Sequence, residues 1–374
     1  MSAPTSLAIV IPDLRVGGLQ LMAVRLARAL DAREWLPRVY SFDGGGPLAA
    51  MLDEAGIAHV DLPRRPGVDA GYARRLGAGF ARDGAALVHC HNITALFHGA
   101  RAARAAGGLP VLYTEHDREF PAPWRQRLLH RWLARRVDLA VAVSAALAAT
   151  LEGQEGFHAE ELVNGTPDPR ADYAGSRSQA RAELGWPEVP TLLAVGSLTP
   201  VKNHAGLLDL LSGLRARVPE LRLAVAGDGP LRKELGRRAA GLPAGCVAWL
   251  GERDDVPRLL AACDVFVLPS HSEGLSLSLV EAHGAGRASV AFAVGGNPEV
   301  IEDGLTGLLA PVGRGDALST ALTGLLLDPA RRASMEAAAR ERYLAVFTME
   351  RMVARYVAHF RALRGQRAAA GSTR

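Results

Sequence analysis

Residues 264–282 read DVFVLPSHSEGLSLSLVEA, and the order of apolar and polar residues in this stretch decides the fold. Val265–Pro269 is a short aliphatic run of the kind that forms a buried strand. Ser270–Gly274 is a polar turn, and a helix follows from about Leu277. A strand, a loop and a helix in that order make one unit of a parallel sheet covered by helices. The same alternation recurs on both sides. Leu7–Pro12, Pro37–Phe42, Ala86–Cys90, Pro110–Thr114 and Leu139–Val143 read as strands of a first series. Leu192–Gly196, Leu221–Gly227, Val247–Gly251, Val265–Pro269 and Ser289–Ala293 read as strands of a second. Amphipathic segments such as Leu19–Ala32 and His204–Arg217 separate them. Two such series in 374 residues predict two doubly wound α/β domains. The break falls across 165–190, rich in Pro, Gly, Asp and Ser, with a short helical piece at Ser178–Leu184. Pro329–Leu363 reads as helical with an interruption near Phe347 and Thr348, and a frayed tail is expected after Gly365.

Bulk composition excludes several classes. The net charge is only +4, so no nucleic-acid partner is expected despite a pI near 9.2. Lys202 and Lys233 are the only lysines. Cys90, Cys246 and Cys263 are widely spaced, which favours a reducing compartment. No secretory leader and no run of membrane-spanning length can be read, so cytoplasmic residence is expected.

The chemistry concentrates in the second series. Glu273 closes the loop of the opening stretch and Glu281 lies one turn into the helix, with Gly274, Leu275, Ser276, Leu277, Ser278 and Leu279 between them. A helix start leaves N–H groups unpaired and favours a phosphate. Carboxylates on either side of a phosphate cradle suit hydroxyls instead, and a nucleotide sugar carries hydroxyls on both sides of its diphosphate. Ser197 and Lys202 follow the strand ending at Gly196, and Lys202 reads as a diphosphate cation or a solvated loop lysine. Gly227 and Gly229 permit a tight strand-to-helix turn. The loop from Leu250 to Pro257, with Arg253, could clasp a base or cap a helix. Gly295-Gly296 and the turn at 303–307 read as structural.

In the first series, Gly17 and Gly18 open a helix after the first strand and allow close approach of a ligand. His89, His91 and His116 stand at two strand ends. His-x-His invites a metal, but no CxxC or HExxH accompanies it, and strand alternation is expected to aim the two side chains apart, so no metal is expected. His116 is the better catalytic candidate because it lies in a loop. Trp124–Arg136 is a basic amphipathic helix. It suits either an anionic membrane surface or a core-facing position with a solvated back.

Together these residues resemble the retaining glycosyltransferase family 4, with GT-B architecture: two Rossmann-like domains facing across a cleft. The E-x7-E motif of that family matches Glu273 and Glu281. Its basic phosphate motif matches Ser197 and Lys202, with serine where arginine is usual, and its glycine-rich loop matches Gly17 and Gly18. The resemblance implies domains at 1–175 and 191–344, a linker at 176–190, and a last helix, 345–374, returning to the first domain. It implies transfer of a sugar, with retention, from a nucleotide-diphosphate donor (a UDP-sugar favoured) to a hydroxyl on a glycan or lipid-linked acceptor, in exopolysaccharide or cell-surface glycan assembly. His116, Lys202 and Glu273 would be catalytic. Gly17, Gly18, Ser197, Lys202, Gly227, Arg253 and the run Glu273–Leu279 with Glu281 would bind the donor without a metal. A nucleotide-sugar epimerase and a non-catalytic nucleotide-sugar-binding module are the alternatives.

Overall fold

The alternating pattern folds into two α/β units in a computed structural model, which describes residues 3–65, 69, 71–117 and 123–371, with side chains to 366. One unit joins Met1–Asn164 to Met349–Arg374, and the other is Gly165–Thr348.

In the first unit the strands are β1 (Thr5–Ile11), β2 (Trp35–Ser41), β3 (His59–Asp61), β4 (Leu87–His91), β5 (Val111–Glu115), β6 (Leu139–Ala142) and β7 (Ala159–Glu161). They form a parallel sheet in the order β3-β2-β1-β4-β5-β6-β7. Every residue of β4 and β5 is buried, as expected of central strands covered on both faces. The terminal helix Met349–Gly371 belongs to this unit: Phe360 meets Trp35 edge-on at 5.4 Å, and Arg361 pairs with Glu34. The helix runs past Gly365, where a frayed tail was expected, and residues 372–374 lie outside the described residues.

The second unit has β8 (Thr191–Val195), β9 (Arg222–Ala226), β10 (Val247–Gly251), β11 (Val265–Leu268), β12 (Ser289–Phe292) and β13 (Gly307–Ala310), in the parallel order β10-β9-β8-β11-β12-β13. Leu207, Leu211 and Leu214 line one face of helix His204–Arg217 and are buried against Leu192, Val225, Val265 and Val290. Each such leucine contributes about 1.5–3 kcal/mol on burial.

The sequence did not foresee β3, β7 and β13. All three are short and lie at sheet edges; β3 and β7 are largely polar, and the four residues of β13 directly follow a turn. The 176–190 segment expected to be a linker is instead part of the second unit, which begins at Gly165. Its helix Arg177–Leu184 starts with a reciprocal Ser176–Gln179 capping box. The buried Arg181 bonds Asp264 at 2.7 Å and the Ala262 carbonyl at 3.0 Å, which fixes the segment to the sheet.

Candidate active site

Both sheets reverse their winding direction at one place, between β1 and β4 in the first unit and between β8 and β11 in the second. Ligands of open parallel sheets bind outside the carboxyl ends of strands at that point. In the second unit the loops after β8 and β11 carry Lys202 and Glu273, and the side chains meet there. Lys202 Nζ donates to Glu273 Oε1 at 2.6 Å, with Glu273 only 7 % exposed. The two loops are also pinned through backbone. His271 N–H donates to the Val201 carbonyl at 2.8 Å, and the Asn203 side chain to the Pro269 carbonyl at 3.1 Å. Asn203 sits at φ +52°, a left-handed conformation that asparagine tolerates, and caps helix His204–Arg217.

Beyond Glu273 the chain enters helix Leu277–Gly284. Ser276 caps it, accepting from Leu279 N–H at 3.4 Å, and the first intrahelical bond runs from Val280 to the Ser276 carbonyl. Leu277 and Ser278 are therefore the first-turn N–H groups without an intrahelical partner, while the N–H of Leu279, expected to face a phosphate, is taken by the cap. Glu281 is half-buried in the second turn.

Gly295 and Gly296 prove closer to this site than their reading as plain turns suggested. Gly295 adopts φ +49°, and a Cβ there would lie 1.6 Å from the Glu273 carbonyl oxygen. Gly296 N–H donates to the Gly274 carbonyl at 2.9 Å. The two glycines brace the backbone that aims Glu273. Only their spacing after a strand could have signalled this.

Gly227 also serves a close approach: its Cβ would stand 2.1 Å from the Gly196 carbonyl oxygen. Leu198 N–H bonds the Asp228 carbonyl, and Gly227 N–H bonds the Gly251 carbonyl, so the loops after β8, β9 and β10 are stitched together. Ser197 is exposed beside Lys202's loop, 3.5 Å from the Thr199 hydroxyl. Arg253 grips Asp255 through two bonds of 2.7 and 2.6 Å.

The first unit presents different chemistry. The loop after β1 is held by Asp13, which the sequence did not single out. Burial favours the neutral acid, but hydrogen bonds from Arg15 and Gln20 outweigh it and hold the carboxyl below its usual range. Gly17 precedes helix Gly18–Ala29, and its α-carbon faces the end of the Gln20 side chain. At the ends of β4 and β5, the His89 and His91 ring centroids are 4.0 Å apart, and those of His91 and His116 are 5.1 Å apart. The expected divergence of His89 and His91 was mistaken, because residues two apart on a strand share a face. Burial pushes His116 down to about 3 and holds His89 and His91 well below the ordinary imidazole value. Among the described residues, no group of three or more His, Cys, Asp or Glu is arranged to hold a metal ion.

Helix Trp124–Ala134 buries His130 and Leu133, with His130 bonded to Glu155 at 2.7 Å. Trp124, at 66 % exposure, Leu128, Leu129 and Trp132 stay on the surface. Leu133 thus faces inward while the other large apolar side chains of this helix face outward. No helix among the described residues is long and apolar enough to cross a membrane.

The fold and the sequence both have known relatives. Residues 176–342 match the family model of glycosyl transferases group 1, and residues 16–163 match that of glycosyltransferase family 4. The chain is 31 % identical to the GDP-mannose-dependent alpha-(1-6)-phosphatidylinositol monomannoside mannosyltransferase of Mycolicibacterium smegmatis, over 68 % of this chain and 72 % of that protein. It is 30 % identical to the sulfoquinovosyl transferase SQD2 of Arabidopsis thaliana over 68 % of this chain, which spans only 52 % of the plant protein. Anabaena HepE, solved in complex with UDP and glucose, superimposes with a TM-score of 0.80 at 22 % identity, covering 95 % of this chain and 98 % of that one. These relatives are transferases by name, which does not favour the epimerase and binding-module alternatives. The chain belongs to glycosyltransferase family 4: it is a GT-B-type glycosyltransferase, an enzyme class that draws on nucleotide-sugar donors.

Proposed function

We propose that this enzyme moves a sugar, with retention at the anomeric carbon, from a nucleotide-diphosphate sugar to a hydroxyl of a glycan or lipid-linked acceptor, without a metal ion. The observation that carries the reading is the Lys202–Glu273 contact at 2.6 Å, at the winding reversal of the second sheet and beside a capped helix start. In a chain of this family, a cation in contact with a carboxylate, on the loop that leads into a helix start, supports a site for a diphosphate and a sugar hydroxyl.

As the glycosidic bond breaks, negative charge grows on the β-phosphate. Lys202, the Ser197 hydroxyl and the N–H groups of Leu277 and Ser278 would oppose it. Donor arrival would exchange the Lys202–Glu273 pair for Lys202–phosphate and Glu273–hydroxyl contacts. Glu281 would hold the ribose, and the remaining donor-binding candidates, Gly17, Gly18, Gly227, Arg253, Gly274, Leu275 and Ser276, would contribute through backbone or loop shape. His116 would orient the sugar. The departing phosphate oxygen would take the acceptor's proton, so no separate general base is required.

A UDP-sugar is the donor expected from the sequence, and GDP-mannose is the donor named for the mycobacterial relative. That relative's name also includes a phosphatidylinositol acceptor, which supports a lipid-linked acceptor here, and a role in exopolysaccharide or cell-surface glycan assembly follows. Trp124, Leu128, Leu129 and Trp132, exposed among Arg125, Arg131 and Arg135, suit peripheral contact with an anionic membrane from the cytoplasmic side. Incubation with each donor and a membrane extract, in EDTA, followed by NMR of the product's anomeric proton, tests the reading. Retained configuration without metal supports it, and inverted product or an absolute metal requirement overturns it.

A further inference from the structure

The histidines of the first unit form a chain of contacts. His89 Nε2 is 2.8 Å from the Thr114 hydroxyl, which is 3.1 Å from the Tyr356 hydroxyl. His91 Nδ1 is 2.9 Å from His116 Nε2. The remaining nitrogen of His91, Nε2, is buried and has no hydrogen-bond partner among the described residues. Burial keeps both rings neutral, so each carries one N–H.

Only two proton arrangements satisfy the His91–His116 bond. If His116 Nε2 donates, the proton of His91 must sit on Nε2, where it becomes a buried donor with no acceptor. If His91 Nδ1 donates, the orphan Nε2 is merely an unused lone pair. Buried unpaired N–H groups are the rarer fault, and leaving one costs its full desolvation penalty. The second arrangement wins. His116 Nε2 is then an acceptor, and its own proton is on Nδ1.

We propose that His91 is a positioning residue that fixes His116 as the Nδ1–H tautomer, so that His116 offers a donor to a sugar hydroxyl. The use of that donor rests on the role proposed above for His116, whereas the tautomer does not. Free imidazole side chains in water favour the Nε2–H form, so the bond from His91 reverses an ordinary preference.

The test is long-range ¹⁵N–¹H NMR of the full chain labelled at histidine, read beside steady-state kinetics. The wild type should show His116 protonated at Nδ1. His91→Leu should move that proton to Nε2 and lower kcat about 10- to 100-fold with little change in donor KM, the scale seen when an imidazole loses its orienting partner. His91→Asn, whose amide nitrogen stands where Nδ1 stood, should restore most of both signals. A wild-type His116 protonated at Nε2 overturns the inference, and this measurement needs no variant to fold. A tautomer shift in His91→Leu with unchanged turnover would support the assignment and overturn the role given to His116.

Discussion

The two units share a winding plan yet present different chemistry at the point where it reverses. In the second unit that edge is ionic, with a lysine and a glutamate in contact beside open N–H groups. In the first, beside an Asp13–Arg15 ion pair in the loop after β1, it is a set of buried neutral rings at the ends of β4 and β5, with His91 bonded to His116. Topology therefore chooses where a site lies, and the side chains after each strand choose what it can do. The difference suits the proposed division of labour, in which the second unit would hold an anionic donor and the buried rings of the first would shape polar contacts.

Removing the charge should break the comparison most sharply. Lys202→Ala is expected to lower kcat/KM about 10²- to 10³-fold, the loss typical of one donor to a developing oxyanion, in steady-state assays with the true donor. His116→Ala, from the neutral rings, should cost less and act on kcat. Equal losses would erase the distinction. Glu281→Ala should weaken donor binding by about 10- to 100-fold, the worth of a hydrogen bond to a charged group, measured by calorimetry. Glycines give a third contrast. Gly295→Ala forces a Cβ into the Glu273 carbonyl at a left-handed φ, while Gly17→Ala meets only the movable end of Gln20. The first should lose about 1–3 kcal/mol of stability in urea unfolding together with donor affinity. The second should stay within about 0.5 kcal/mol.

Acid supplies the smallest and most general contrast. Burial depresses His89, His91, His98, His116 and His359 in the first unit, but only His204 and His283 among the described histidines of the second. Below about pH 6.5 the unfolded chain gains protons that the native rings refuse, so their contribution, fully present above that pH, declines as pH falls toward the native values. Each depressed histidine adds a slope of about 1.4 kcal/mol per pH unit. Between pH 6.5 and 4.5, scanning calorimetry should show the first unit's transition falling faster than the second's. Parallel falls would remove the asymmetry.

Much of this was legible in the residues. Central strands announce themselves as aliphatic runs because both faces are buried. Lys202, Glu273 and Glu281 could be singled out as candidates because a helix start flanked by carboxylates, with a lysine after a neighbouring strand, suits a diphosphate and the hydroxyls on either side of it. The missed parts were contextual. Edge strands β3 and β7 lack the aliphatic run, β13 is only four residues long and opens on the glycine of a turn, and the 176–190 segment looked like a linker until Arg181 found Asp264 across the fold. Asp13, Gly295 and the His91–His116 bond depend on which loops come together, and one chain read alone does not state that. The Lys202–Glu273 bond was equally hidden, although each partner had been singled out for a separate task.

Calorimetric titration of wild type and Lys202→Ala with UDP-glucose and GDP-mannose, in excess EDTA, reads the central claim directly. The account predicts that one of these donors binds the wild type without metal and that the variant loses at least about tenfold in affinity, as expected when a charge-assisted contact is removed. Binding that appears only when Mg²⁺ is restored, or an unchanged affinity in Lys202→Ala, would contradict it.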